Sequence, residues 1–207
     1  MSDADNNTRV MPRDTALNAL VDVTSALEAT GNRYWLSDGT LLGAVRENDF
    51  ISYDYDIDLG VSAETFNPEF LKDTAQKGFS LLHTFGRVED GLNLTLERDG
   101  IRVDIFLYYK RGGNMYYSYF AQFSPAKARR FDCEYPSVKQ ERCIFLGHDF
   151  WIPKDAEKHL EIQYGPDWKV PVPTWNWVTD PHNKHARGSV NLVDDSEAVK
   201  NVLAEYL

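Results

Sequence analysis

The feature that most constrains this chain is an alternating acidic and apolar segment over residues 53–60, which reads YDYDIDLG. Because side chains in a β-strand alternate between two faces, the pattern predicts a strand from Tyr55 to Val61 whose apolar residues enter the core. Asp54, Asp56 and Asp58 then point to the opposite face, where same-side residues are only about 7 Å apart. Carboxylates at that spacing repel one another, so fold stability alone gives no reason to align them.

A divalent cation does give a reason. Mg²⁺ takes hard oxygen ligands, usually a few carboxylates together with substrate phosphates and water. The segment therefore predicts a Mg²⁺ site, with Mn²⁺ as the second candidate ion. An exposed acidic strand edge that discourages aggregation would explain the same residues without a ligand, and on this segment alone the two interpretations are equally good.

A turn upstream of the acidic segment favours the metal site. Asp38-Gly39-Thr40 begins a short predicted helix that ends at Arg46. Helix N-termini present free N–H groups to anions, glycine allows close backbone approach, and a threonine hydroxyl adds a donor. Gly39 and Thr40 are therefore predicted to hold phosphate, and Arg46 to offset its charge. The alternatives are a plain helix cap for the turn and a surface C-terminal cap for Arg46.

A second acidic strand is predicted over residues 101–106, which read IRVDIF. Its alternation places Asp104 opposite the core residues. If this strand pairs beside the first one, Asp56, Asp58 and Asp104 form one catalytic and metal-binding triad. An ion pair between Asp104 and Arg102 is the structural alternative.

The remaining periodicity predicts an α+β fold, with a mixed β-sheet and helices packed mainly on one face. Other helices are expected over Pro12 to Thr30, Asn67 to Lys77, Pro153 to Tyr164 and Asp194 to Leu207. Other strands are expected over Arg33 to Leu36, Phe79 to Val88, Leu92 to Glu97, Ile101 to Tyr109, Tyr116 to Phe123 and Arg142 to Trp151. Residues 167–188 are expected to form an ordered loop, in which Trp175 and Trp177 either pack or line a sugar or base site.

Composition excludes several classes of protein. A net charge of −10 argues against a nucleic-acid partner, which usually meets a basic surface. No apolar run approaches the roughly 20 residues needed to span a bilayer, and residues 1–9 do not resemble a secretory signal. We therefore expect no integral membrane segment, a cytoplasmic location, and reduced thiols at Cys133 and Cys143.

A Gly-Thr turn before a helix, a D-x-D strand and an aspartate on a later strand form the pattern of the nucleotidyltransferase fold. A GT-A glycosyltransferase also carries a D-x-D, but a nucleotide-binding half normally precedes it. Here the acidic segment begins near residue 54, so little chain comes before it.

Longer blocks resemble the LicD and fukutin-related family. The most specific match is residues 34–61, YWLSDGTLLGAVRENDFISYDYDIDLGV; the VDIF of residues 103–106 and residues 151–168, WIPKDAEKHLEIQYGPDW, resemble later blocks. The resemblance implies one catalytic domain over residues 12–207, after a disordered tail over 1–11. It also implies metal-dependent transfer of a phospho-alcohol group, of the phosphocholine, ribitol phosphate or glycerol phosphate class, from a CDP-linked donor to a sugar or glycan hydroxyl.

By the same resemblance, Asp56 and Asp58 match the metal-binding D-x-D, Asp104 matches the third carboxylate, and Gly39 and Thr40 match the phosphate-holding turn. Asp104 is the candidate base for the attacking hydroxyl.

The chain departs from the family at two points. Ser52-Tyr53 replaces a frequent Pro-Trp, and two cysteines cannot supply the cysteine-ligated zinc of fukutin-related members. The soluble bacterial members are therefore the better comparison. A minimal nucleotidyltransferase acting on a protein, RNA or small molecule, and an inert acidic binding module, are the alternative functions.

Overall fold

The computed structural model describes residues 11–192 together with Leu203 and Tyr206. The tail expected over 1–11 lies outside this range except for Met11, which is buried at the edge of the core. Most of the helix expected over Asp194 to Leu207 also lies outside the described residues.

Helices and strands alternate irregularly along the described chain. In order they are α1 Arg13–Ala29, β1 Tyr34–Leu36, α2 Asp38–Arg46, β2 Asp56–Ser62, α3 Phe70–Gln76, β3 Ser80–Arg87, β4 Asp90–Arg98, β5 Ile101–Arg111, β6 Asn114–Ser124, β7 Lys127–Pro136, β8 Gln140–Phe145, β9 His148–Pro153, α4 Ala156–Tyr164 and β10 Lys184–Asn191. None of the described helices is both long and apolar enough to cross a membrane.

Strand β5 lies at the centre of the main sheet and pairs with three other strands. It pairs in parallel with β2 on one side and antiparallel with β4 on the other, and its last three residues pair with β6. The sheet continues outward in the order β1-β2-β5-β6-β7-β10, with β3 added beside β4, and β8 and β9 form a separate hairpin. The predicted α+β class and mixed sheet are therefore confirmed.

Alternation along β5 separates the core from the candidate site. Val103 and Ile105 are fully buried and belong to the main hydrophobic core, to which α1 and α3 contribute. The residues that alternate with them, Arg102, Asp104 and Phe106, are only partly buried. Helices α1 and α3 pack against each other, and α1 also contacts β5, so the predicted helical layer covers the apolar face.

The hairpin β8–β9 corrects the expectation of one strand over Arg142 to Trp151. The chain reverses at Leu146 and Gly147, whose φ angles of 52° and 83° are both in the left-handed region. Two such residues form the type of turn that suits a tight hairpin. Leucine is unusual at this position, so the sequence carried no turn signal there.

Other differences follow the hairpin and the C-terminal part of the sheet. Pro153 ends β9, and α4 begins only at Ala156, so the expectation that Pro153 opens this helix was wrong. Strand β7 was not expected, and β10 takes up the last residues of the predicted loop over 167–188. Strand β7 forms a hairpin with β6 and pairs on its other side with β10. The second pairing joins residues far apart in the chain, so local patterning does not reveal it.

Candidate metal centre

Three carboxylates converge at the beginning of β2. One oxygen from each of Asp54, Asp56 and Asp58 lies within 4.8 Å of the others. Asp56 and Asp58 are on the strand, whereas Asp54 precedes it and is turned back by a hydrogen bond from its amide to the Ile51 carbonyl at 2.9 Å. The predicted convergence is therefore present, but a turn rather than strand alternation brings Asp54 into the cluster.

Asp104 lies on the strand next to this cluster. In the parallel pair of β2 and β5 it is the register partner of Asp58, as the sequence pattern predicted. Its carboxylate accepts a 2.6 Å hydrogen bond from the Thr95 hydroxyl on β4. Asp104 is not one of the three residues grouped within 4.8 Å, so its place in a metal-binding triad stays a prediction.

Arg102 was the alternative partner of Asp104. In the strand register it faces Asp56, and among the described residues the direct hydrogen bond to Asp104 comes from Thr95 instead. Its positive charge does lower the pKa of both Asp56 and Asp104, against the larger upward effect of burial. The described contacts therefore favour Thr95, rather than Arg102, as the direct partner of Asp104.

The N-terminus of α2 lies against the cluster. The Gly39 amide donates a 2.9 Å hydrogen bond to Asp58 Oδ2, and the Thr40 hydroxyl accepts one of 2.8 Å from the Asp58 amide. A Cβ atom on Gly39 would overlap Asp54 Oδ2 and lie 3.1 Å from Asp58 Oδ2. A larger residue here would therefore have to displace the Asp54 carboxylate, and Gly39 and Thr40 directly hold Asp58. Their binding of phosphate stays a prediction.

Arg46 ends α2 but is not the surface residue that the capping alternative required. Its side chain is only 7% exposed and forms a 2.5 Å ion pair with Glu47. Glu47 thus already offsets the charge of Arg46. The predicted role of Arg46 toward phosphate stays a prediction.

Burial and mutual repulsion dominate the electrostatics of the cluster. Burial, followed by the neighbouring carboxylates, raises the pKa of Asp56 and Asp58 well above the usual range. Burial also raises the pKa of Asp54, and it raises that of Asp104 to about 6 against the opposing effects of Thr95 and Arg102. The folded chain therefore crowds acidic groups whose joint ionisation is unfavourable. A hard divalent cation would offset that cost, and carboxylate oxygens are the donors such an ion prefers.

Two residues outside the predicted metal-binding set lie at this site. Asp54 was noted in the acidic segment but not grouped with Asp56, Asp58 and Asp104, and it joins the cluster through the turn after Ile51. Asp38 accepts hydrogen bonds from Ser37 and from Tyr117, at 2.6 Å each, and from Gln163. Its position before Gly39 was visible in the sequence, but its partners on β6 and α4 were not.

Aromatic residues border the same region. The ring of Tyr164 packs 4.8 Å from that of Trp175, and Tyr119 packs 5.4 Å from Trp177, which is 44% exposed. Burial, followed by the negative charges of Asp38, Asp58 and Asp54, raises the pKa of Tyr164. The loop that carries the two tryptophans thus packs against Tyr164, whose pKa the carboxylates affect, and against Tyr119.

The chain is similar in sequence to two ribitol phosphate transferases. Ribitol-5-phosphate transferase FKTN from Homo sapiens is 30% identical over 200 residues, which are 95% of this chain and 42% of that protein. Ribitol 5-phosphate transferase FKRP from Homo sapiens is 32% identical over 158 residues, 70% of this chain and 30% of that protein. The chain spans less than half the length of these relatives.

A solved structure of ANT(2")-Ia in complex with adenylyl-2"-tobramycin aligns with a TM-score of 0.47 and 14% identity, covering 92% of this chain and 91% of that one.

Residues 31–155, more than half of the chain, match the family described as LicD/FKTN/FKRP, nucleotidyltransferase domain. This range includes Gly39, the three clustered aspartates and Asp104. The chain belongs to the LicD/FKTN/FKRP nucleotidyltransferase-domain family.

Proposed function

We propose that this chain is a Mg²⁺-dependent phosphotransferase that moves a phospho-alcohol group from a CDP-linked donor to a sugar or glycan hydroxyl. The observation that carries the proposal is the convergence of Asp54, Asp56 and Asp58 beside the Gly39 amide at the start of α2. The names of two relatives, both ribitol phosphate transferases, support the phospho-alcohol class.

Asp56 and Asp58 are the residues that would hold the cation, with Asp54 or Asp104 as a further carboxylate. A divalent cation bound there would stabilise negative charge on the donor pyrophosphate and on the departing nucleotide phosphate. The Gly39 amide donates to the Asp58 side chain and the Asp58 amide donates to the Thr40 hydroxyl, so this ligand is oriented before a donor binds.

Asp104 is the proposed base. The acceptor oxygen would form a bond to the phosphorus that bears the alcohol, the bond from that phosphorus to the bridging oxygen would break, and CMP would leave. Asp104 would take the proton of the attacking hydroxyl, while Thr95 keeps its carboxylate oriented. A pKa raised to about 6 leaves Asp104 mostly ionised at neutral pH yet more basic than an ordinary aspartate.

Ligand binding, followed by analysis of the products, tests the proposal. Metal-free protein is incubated with CDP-choline, CDP-glycerol, CDP-ribitol or CTP, with and without Mg²⁺, and thermal shifts identify the ligands that bind. We expect a shift with one CDP-alcohol that requires Mg²⁺, and release of CMP on addition of a sugar acceptor.

Release of pyrophosphate from CTP, with a nucleotidyl adduct as product, would instead favour the minimal nucleotidyltransferase. Absence of any Mg²⁺-dependent binding would favour the inert acidic module and contradict the proposal.

We expect pH to have opposite effects on the metal-free and metal-bound protein. Carboxyls whose pKa is raised by folding hold protons that the unfolded chain has released, so the metal-free protein loses stability as the pH rises from about 4 through 6. A cation binds the deprotonated carboxylates, so its stabilising effect grows over the same range. Saturating Mg²⁺ should raise the melting temperature by about 5–10 °C at pH 8, and by less than half of that at pH 5.

Differential scanning fluorimetry at both pH values measures this effect, with NaCl at matched ionic strength as the control. Equal Mg²⁺ shifts at the two pH values would show that the raised-pKa carboxylates do not bind the ion.

A further inference from the structure

Asp38 has an unusual backbone conformation at the start of α2. Its φ angle of 41° lies in the left-handed region, which residues other than glycine seldom adopt, although aspartate and asparagine tolerate it best. Such a conformation persists only where the surrounding structure holds it. The contacts of the Asp38 side chain show what holds it.

Both oxygens of the Asp38 carboxylate are occupied by hydrogen bonds. Oδ2 accepts from the Ser37 hydroxyl at 2.6 Å. Oδ1 accepts from the Tyr117 hydroxyl of β6 at 2.6 Å and from the Gln163 amide of α4. Three separate parts of the chain therefore meet at this one side chain.

A second layer of hydroxyls fixes these donors in turn. The Tyr108 hydroxyl lies 2.9 Å from the Ser37 hydroxyl, and the Tyr135 hydroxyl donates to Gln163 Oε1 at 2.9 Å. Ser37, Gln163, Tyr108 and Tyr135 are all buried, so water cannot readily replace these bonds. The network is therefore a rigid support.

The backbone amides of the two residues that flank Asp38 both bind Asp58. The Ser37 amide donates to the Asp58 carbonyl at 3.1 Å, and the Gly39 amide donates to Asp58 Oδ2 at 2.9 Å. A change in the backbone at Asp38 would therefore displace the Gly39 bond directly, because that N–H belongs to the Asp38–Gly39 peptide group.

We propose that Asp38 is a positioning residue whose hydrogen-bond network, anchored on β6 and α4, sets the orientation of Asp58 in the carboxylate cluster. Its effect on catalysis rests on the proposed function, whereas its effect on Asp58 does not. Both Asp38 oxygens are already engaged by protein donors, so the role proposed for this residue is to orient Asp58 rather than to bind a cation itself.

Three substitutions separate geometry from charge. Asp38→Asn removes the charge but keeps the bonds: its oxygen still accepts from Tyr117 and Gln163, and its amide donates to the Ser37 hydroxyl, which then donates to Tyr108. Asp38→Ala removes the bonds. Asp38→Gly also removes them, but it relieves the left-handed backbone, so it tests whether backbone strain alone is responsible.

Two measurements are made on the full chain. The affinity for Mn²⁺ alone is measured by electron paramagnetic resonance, and the Gly39 amide is followed by NMR with ¹⁵N-glycine labelling. We expect Asp38→Ala and Asp38→Gly to weaken Mn²⁺ binding by about 10- to 100-fold and to shift the Gly39 amide signal. Asp38→Asn should stay within about threefold of the natural chain and leave that signal in place.

Asp132→Ala is the matched control. Asp132 is a fully buried carboxylate on β7 that accepts hydrogen bonds from Ser118, Arg130 and Arg187. Because it lies on the opposite face of β7 from Tyr135, its loss should lower the melting temperature without changing Mn²⁺ affinity.

The inference is overturned if folded Asp38→Ala keeps the natural Gly39 signal, or if Asp38→Asn weakens Mn²⁺ binding as much as Asp38→Ala does. If Asp38→Ala does not fold, Tyr117→Phe provides the same test with one bond removed. A natural chain that binds no Mn²⁺ would contradict the proposed function instead, and the Gly39 signal would still decide the role of Asp38.

Discussion

Asp58→Asn is expected to lower the rate of phosphotransfer by about 1,000-fold or more, while the protein stays folded. Asparagine can still accept the hydrogen bond from the Gly39 amide, so the local structure has little reason to change. It removes, however, a negative charge from the group that Asp54, Asp56 and Asp58 form. We expect a similar loss for Asp56→Asn.

Stability should move in the opposite direction from activity. Because burial and repulsion disfavour the charged form of Asp58, the neutral amide should leave the metal-free melting temperature unchanged or higher at pH 8. Initial rates and thermal melts measure the two effects together.

The control for this substitution is Asp99→Asn at the turn between β4 and β5. Asp99 is 73% exposed, and its φ of 54° is one that asparagine also tolerates, so neither rate nor stability should change. A rate for Asp58→Asn within a few fold of the natural chain would remove Asp58 from the mechanism.

Gly39→Ala should disrupt the site through steric overlap alone. The added Cβ would overlap Asp54 Oδ2 and crowd Asp58 Oδ2 at 3.1 Å, so at least one carboxylate has to leave its position. The backbone of Gly39 is not in the left-handed region, so conformational strain does not contribute. We expect a loss of about 1–3 kcal/mol in the free energy of unfolding and a 10- to 100-fold loss in Mn²⁺ affinity.

Gly113→Ala is the matched control, because a Cβ there meets no atom within 4 Å and the backbone is likewise unstrained. Chemical denaturation and Mn²⁺ titration of the two variants give the comparison. If Gly39→Ala bound Mn²⁺ like Gly113→Ala, the carboxylates would not need the positions described.

Local patterns were sufficient to predict much of the fold. Alternation in β2 and β5 separated buried apolar residues from the acidic face, and the observed register placed Asp58 beside Asp104. The Asp99-Gly100 turn, with both φ angles positive, joins the two strands that were predicted over Leu92 to Glu97 and Ile101 to Tyr109. These features depend on residues close together in the chain, where steric preference and alternation act directly.

Features that depend on distant residues were not predictable. The bond between Asp38 and Gln163 joins residues 125 positions apart, and nothing near Asp38 indicates its partner. The Leu146-Gly147 turn places leucine in a conformation that its side chain disfavours, and tertiary packing outweighs that preference. Strand alternation predicted that Asp54 lies with Asp56 and Asp58, but in the structure a turn before the strand brings it there.

The central claim is that the carboxylates at the start of β2 hold a divalent cation. Anomalous diffraction from crystals grown with Mn²⁺ tests it directly. We expect one or more Mn²⁺ peaks within about 2.5 Å of carboxylate oxygens of both Asp56 and Asp58, and we expect them to be absent in the Asp58→Asn protein. Peaks located only elsewhere, or an ordered cluster that stays empty at saturating Mn²⁺, would contradict it.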